Sequence, residues 1–292
     1  MTMFPGCLTA LVTPFRNGAI DTKALADLVD AQIAGGVNGL VPCGSTGESA
    51  TLSHDEHLEV IRVVVRTARK RVPVVAGTGS NATAEAIRLT RGAEELGVDG
   101  ALLISPYYNK PTQDGIVAHY EAVAAATKLP LIVYNIQGRT ASNITAETMA
   151  RLAKIPRVVG VKEASGSMAQ VLEILDACGP DFAVWSGDDI VTLPIVAAGG
   201  VGVISVIANA APDRMVELTD ALRAGDLPRA RRAHARLMPL FRTFFLEVNP
   251  IPVKTALAIM GRMSEELRLP LTPLTARNRA LLETVLREAG LV

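Results

Sequence analysis

Cysteine, aromatic residues and any excess of charge are what this chain has least of. Three cysteines, Cys7, Cys43 and Cys178, are scattered through 292 residues. They are too few and too far apart for a disulfide framework or a zinc site, and they fit a reduced, cytoplasmic setting. Aromatic residues make up only 4% of the chain, so a core drawn from its 49% hydrophobic content has to be aliphatic. With 29 basic and 29 acidic residues the formal net charge is zero. That balance argues against a nucleic-acid surface and against an electrostatic membrane anchor. The one dense basic run, Arg229 to Arg236, alternates with Ala and Leu and reads as a solvated helix face. No apolar run reaches the roughly 18 residues a membrane span needs. The start, Met1-Thr2-Met3-Phe4-Pro5-Gly6, lacks the basic and apolar segments of a signal peptide. Histidine is also sparse: of His54, His57, His119 and His234, only the first two are close, and they lack the i, i+4 spacing of a zinc helix. No metal is expected. Gly77-Thr78-Gly79 lacks the third glycine of a dinucleotide fingerprint, so no nicotinamide cofactor is expected either.

What the chain does have is a repeat of short β-branched runs and longer helical ones, the pattern of βα units. Eight candidate strands cover 8–12, 39–42, 74–76, 101–104, 131–134, 158–162, 182–185 and 201–204. Helical periodicity fills the gaps, as over 22–34, 55–69, 82–96 and 169–177, with glycine near several of the ends. The pattern predicts an α/β fold, a closed (β/α)8 or TIM barrel over residues 1–223. An open eight-stranded sheet has the same pattern. From about 224 to 292 the alternation stops, and a small C-terminal helical extension is expected, broken at Pro239, Pro250, Pro252, Pro270 and Pro273.

Barrel enzymes place their chemistry at the C-terminal ends of the strands. Here those ends are polar: Gly44-Ser45-Thr46-Gly47, Tyr107-Tyr108-Asn109, Tyr134-Asn135, Lys162 and Ser186-Gly187-Asp188-Asp189. Lysine is a poor strand residue and is rarely buried. At a barrel mouth a partly dehydrated ammonium loses its proton more readily and can attack a carbonyl to form a Schiff base. A strand-end lysine can also simply reach solvent, so its neighbours decide. Tyr134 would lie beside Lys162 on the preceding strand. A phenol with a pKa of about 10 is a weak base, but one linked to other hydroxyls, with Thr46 and Tyr108 available, can move protons. Two glycines around Ser45-Thr46 let backbone N–H groups cradle a carboxylate. Asp188-Asp189 after a glycine reads as a helix cap before it reads as a cation site.

Taken in order, these segments resemble the pyruvate-dependent class I aldolases and lyases. The resemblance runs from about Phe4 to Val292 and is carried by Gly44-Ser45-Thr46-Gly47-Glu48-Ser49-Ala50-Thr51-Leu52, Val75-Ala76-Gly77-Thr78-Gly79, Pro106-Tyr107-Tyr108-Asn109-Lys110-Pro111 and Tyr134-Asn135. Gly160-Val161-Lys162-Glu163-Ala164, Ser186-Gly187-Asp188-Asp189 and Asn249-Pro250-Ile251-Pro252-Val253-Lys254 complete it. It is closest to the branch that condenses pyruvate with (S)-aspartate 4-semialdehyde in lysine and diaminopimelate biosynthesis. It implies that Lys162 forms the imine and that Tyr134 transfers protons through Thr46 to Tyr108 of an adjacent subunit. It further implies that Ser45 and Thr46 hold the pyruvate carboxylate, that Arg139 receives the aldehyde's carboxylate, and that Gly187 and Ile204 line the pocket. A homotetramer, a dimer of dimers, is implied, with no cofactor.

The same resemblance implies an allosteric site for L-lysine at Ser49, Ala50, His54 and His57, completed by Asn81, Glu85 and Tyr107. Glu85 could pair with the ammonium. Two departures bear on the second substrate. Ser45 stands where threonine is common, and Ile136-Gln137-Gly138-Arg139 replaces the usual Val-Pro-Ser-Arg. An aldolase for another aldehyde (an N-acetylneuraminate lyase or a 2-keto-3-deoxy-sugar aldolase) and a ligand-sensing barrel without turnover stay open on sequence alone. Arg139 favours a carboxylate-bearing aldehyde over a sugar.

Overall fold

Residues 3–292 are described by a computed structural model. Met1 and Thr2, which begin the stretch read as lacking a signal peptide, lie outside the described residues. Eight strands alternate with helices: β1 (Gly6–Ala10), β2 (Gly39–Val41), β3 (Val75–Gly77), β4 (Gly100–Ile104), β5 (Leu131–Asn135), β6 (Val158–Glu163), β7 (Ala183–Ser186) and β8 (Gly202–Ser205). All eight pair in parallel with their sequence neighbours, and β8 pairs with β1 through Gly6↔Gly202 to Thr9↔Ser205. A parallel bridge between Leu40 and Val74 joins β2 to β3. That contact closes the ring, so the open-sheet alternative falls.

Period-2 alternation divides the apolar residues into two layers. Leu8, Ala10, Val41, Val75, Leu102, Ile132, Trp185 and Ile204 pack inside the barrel. Leu103, Leu131, Val133, Val161 and Val184 face outward under the helices. Those helices are α1 (Thr22–Ala34), α2 (His54–Ala68), α3 (Thr83–Glu95), α4 (Gln113–Ala125), α5 (Ala146–Leu152), α6 (Met168–Cys178), α7 (Thr192–Ala197) and α8 (Pro212–Arg223). Ser53 caps α2 in a full capping box with Glu56, as its Ser-x-x-Glu sequence dictates.

One irregularity matters for the site. Between β5 and β6 the register slips by one residue, from Leu131↔Val158 to Ile132↔Gly160. Beyond this bulge Tyr134 and Lys162 become direct partners. A bulge of this kind re-aims every side chain that follows it. Gly160 is required there, because a Cβ would stand 2.2 Å from the Ala183 carbonyl and 2.7 Å from the Trp185 ring.

The extension consists of α9 (Leu227–Thr243), α10 (Ile251–Ile259) and α11 (Ala276–Glu288). Two of the expected proline breaks do not occur. Pro239 lies inside α9, on a face where Ala235 and Pro239 are both exposed, so water can meet the carbonyl that proline leaves unbonded. Pro252 sits in the first turn of α10, where an N–H has no intrahelical acceptor anyway. On α9 the arginines 229, 231, 232 and 236 are exposed while Ala230, Ala233 and Leu237 are buried, so the basic run is a solvated face. Leu237, Phe241, Val253, Leu257 and Leu282 join the barrel's outer apolar layer.

A buried ion pair pins the extension to the mouth of the barrel. Lys254 Nζ donates to Glu48 Oε1 at 2.5 Å, with side chains 0% and 1% exposed. The Arg268 N–H donates to Glu48 Oε2 at 3.1 Å, and the Arg268 guanidinium grips Glu56 and the Thr51 carbonyl. Both cations lie over the Phe15 ring. Breaking such a pair from one side strands a buried charge. Lys254→Met is therefore expected to lower stability by about 3–5 kcal/mol in urea unfolding. Adding Glu48→Gln should recover part of the loss. A double variant no more stable than the single one would contradict this reading.

Candidate active site

Lys162 ends at the barrel mouth with 5% of its surface exposed and, among the described residues, no carboxylate bonded to it. Burial is the main cause that pulls its pKa from 10.5 down to about 8; Asp189 opposes the shift and Arg139 adds to it. The nearest carboxylates are committed elsewhere. Asp189 accepts from the Ser205 hydroxyl at 2.5 Å and from the Val206 and Ile207 amides, and burial raises its pKa to about 6. Asp188 caps the next turn through the Ile190 N–H, which is the capping expectation met. Lys162 Nζ instead lies 4.3 Å from the centroid of the Tyr134 ring. The Tyr134 phenol is pushed up to about 12, chiefly by burial, with Arg139 and a hydrogen bond from Ser45 working against the rise.

A cavity of about 770 Å³ opens over this lysine, lined by Thr46, Tyr134, Ile136, Gly138, Arg139, Gly187, Asp188, the stretch 245–249 and others. Gly187 keeps it open. A Cβ there would come within 2.7 Å of Ala164 Cβ and 3.1 Å of Lys162 Cγ. Ile204 is buried in the inner layer beneath and is not among the lining residues.

The Ser45–Thr46 loop comes off β2 as a single 3-10 turn over Ser45–Gly47, followed by Glu48 in left-handed geometry at φ 54°. Thr13 Oγ1 fixes it by donating to the Gly47 carbonyl at 2.7 Å. The first N–H groups of such a turn have no acceptor within it, and among the described residues Ser45 and Thr46 have none elsewhere. Arg139 sits on a one-turn helix after β5 and donates from Nη2 to the Asn249 carbonyl at 2.9 Å. Asn249 in turn donates from Nδ2 to Thr46 Oγ1 at 2.9 Å. Tyr108 is not part of this group. It is 88% exposed, has φ 73°, and lines neither this cavity nor the adjoining one.

That adjoining cavity, about 430 Å³, shares Tyr134, Arg139 and Asn249 with the first. Its far wall contains Ser49, Ala50, His54, His57, Glu85 and Tyr107. His54 Nε2 meets Glu85 Oε1 at 2.5 Å, and Ser80 also donates to Glu85. Those bonds, the Ser80 one first, hold the Glu85 carboxyl below its usual range. His57 is bonded through Nε2 to the Gly77 carbonyl, and burial lowers its pKa, with that bond opposing the shift. Asn81 is not a lining residue; its carbonyl accepts from Asn109.

Sequence reasoning gave no role to Asn249, Glu48 or Lys254. Lys254 was the available signal: a charge in the middle of Ile-Pro-Val-Lys-Thr-Ala-Leu-Ala-Ile needs a buried counter-ion. Cys43, near the rim, is buried, which holds its thiol well above the usual range and makes it a poor nucleophile.

Residues 3–289 match the Dihydrodipicolinate synthetase family. The 4-hydroxy-tetrahydrodipicolinate synthase of Nitratidesulfovibrio vulgaris is 57% identical over 290 residues, covering 99% of each chain. The crystal structure of dihydrodipicolinate synthase from Aquifex aeolicus superposes with a TM-score of 0.97 at 45% identity, covering 99% of each chain. A dihydrodipicolinate synthase from Cyanidioschyzon merolae, solved with lysine bound, gives a TM-score of 0.97 at 42% identity over 100% of both chains.

Proposed function

The chain belongs to the dihydrodipicolinate synthetase family, and on that premise we propose that it is a Schiff-base lyase condensing pyruvate with (S)-aspartate 4-semialdehyde to give 4-hydroxy-tetrahydrodipicolinate. The observation that carries the reading is Lys162, a dehydrated amine without a bonded counter-ion among the described residues, facing an open cavity beside a buried phenol. Its neutral form attacks the ketone of pyruvate. Loss of water leaves the imine, and loss of a methyl proton gives the enamine. The enamine carbon then attacks the aldehyde, and the product's own amine displaces Lys162 to close the ring. The Ser45 and Thr46 amides suit the pyruvate carboxylate, and Arg139 suits the carboxylate of the aldehyde. Tyr134 and Thr46 would carry the protons. No step calls on a cofactor.

Tyr108 would act in a neighbouring subunit of a homotetramer. Its exposure and its absence from the lining of either cavity support that placement. The adjoining cavity would take L-lysine, the ammonium against Glu85, and the lysine-bound relative supports this. Buried Cys7 and Cys43, free as thiols, fit a cytoplasmic setting.

Four outcomes are expected. Borohydride with pyruvate should label Lys162, at an initial rate that rises with pH and levels off above about 8, where the amine is already neutral. In steady state, aspartate semialdehyde should be preferred to sugar-derived aldehydes; no label on Lys162, or the opposite preference, would refute the assignment. Mixed Lys162→Ala and Tyr108→Phe chains should recover turnover that neither has alone, since one site would then combine both intact residues. No recovery in mixed oligomers would place Tyr108 in its own subunit's site. Calorimetric titration should detect L-lysine binding that Glu85→Ala abolishes; binding unchanged in that variant would remove Glu85 from the site.

A further inference from the structure

Asn249 touches two functional groups at once. Its main-chain carbonyl holds the Arg139 guanidinium, and its side-chain Nδ2 donates to the Thr46 hydroxyl, both at 2.9 Å. The residue is 9% exposed and lines both cavities. Among the described residues its buried Oδ1 has no partner, and the side chain is held through Nδ2 on Thr46 Oγ1. The backbone that carries it is anchored five residues on, where Lys254 meets Glu48 in the same loop as Thr46.

A threonine hydroxyl has one proton to give and accepts through its oxygen. When a neighbour donates to that oxygen, the proton stays free to point at the next group in a relay. When a neighbour accepts instead, the proton is taken and the relay is cut. Asn249 is a donor to Thr46. We propose that Asn249 is a positioning residue: it sets the donor–acceptor direction of the Thr46 hydroxyl so that the threonine proton faces Tyr134. The proposal rests on the reading of Thr46 as part of the proton relay. It assigns to the extension a part in catalysis that no barrel strand supplies.

Asn249→Asp tests it, because the carboxylate has the same shape and can only accept. Turnover at pH 8 is expected to fall about 10- to 100-fold, the range of a disabled proton relay, with the pyruvate KM little changed. Protonating the new carboxyl restores a donor, so the ratio of variant to wild-type turnover should rise as pH falls, a comparison in which the titration of Lys162 cancels. In a Thr46→Val background the same replacement should add little. Asn249→Ala, which frees the hydroxyl without reversing it, should lose less and carries the test if the aspartate variant does not fold. Wild-type turnover in Asn249→Asp, or a loss equal at every pH and additive with Thr46→Val, would overturn the proposal. Borohydride trapping with pyruvate keeps the two readings apart. An adduct in wild type and variant alike leaves the Schiff-base chemistry intact, whereas no adduct in the wild type would sink the relay and this proposal with it.

Discussion

An ammonium removed from water must find an anion or give up its proton, and this fold contains one lysine of each kind. Lys254 is fully buried, and the bonded Glu48 opposes the fall in pKa that dehydration imposes on it. Lys162 is almost as buried, but Asp188 and Asp189 nearby are spent on backbone amides and Ser205, so dehydration prevails and its pKa falls to about 8. The difference separates structure from chemistry. A salt-bridged amine is inert, whereas an unpaired one at the mouth of a barrel is a nucleophile.

The two lysines are linked through the loop between β2 and α2. Glu48 holds the end of that loop to the extension, and Thr46, two residues earlier, is held by Asn249 from the same segment. The barrel thus carries Lys162, the proposed nucleophile, and the extension holds Thr46 and Arg139, which line the same cavity. The segment after residue 223 adds to the outer apolar layer and supplies hydrogen bonds to Arg139 and Thr46.

Much of this was legible in the sequence. Eight β-branched runs located all eight strands within two residues, and polar residues after several of them marked the candidate functional rim. Closure was expected from eight βα units, but the pattern alone did not exclude an open sheet: the bridge between Leu40 and Val74 decides it, and that single contact was not legible. Nor was the bulge at β6. The pairing of Tyr134 with Lys162 was expected from the strand order, but only the packed structure shows the register slip that makes it direct and the Ala183 carbonyl that excludes a Cβ at Gly160. Asn249 and Glu48 lie about 200 residues apart in sequence from their partners, beyond the reach of any spacing argument. Pro239 shows the limit of propensity, since on a solvated face a helix can carry the residue that most disfavours it.

The account rests on a carbonyl substrate meeting a neutral Lys162 while the Ser45 and Thr46 amides hold its carboxylate. A crystal structure of the protein soaked with pyruvate tests this most directly. Density continuous from Lys162 Nζ to the keto carbon, with the carboxylate on those two amides, is the expected result. A free Lys162 side chain with pyruvate bound elsewhere would contradict it.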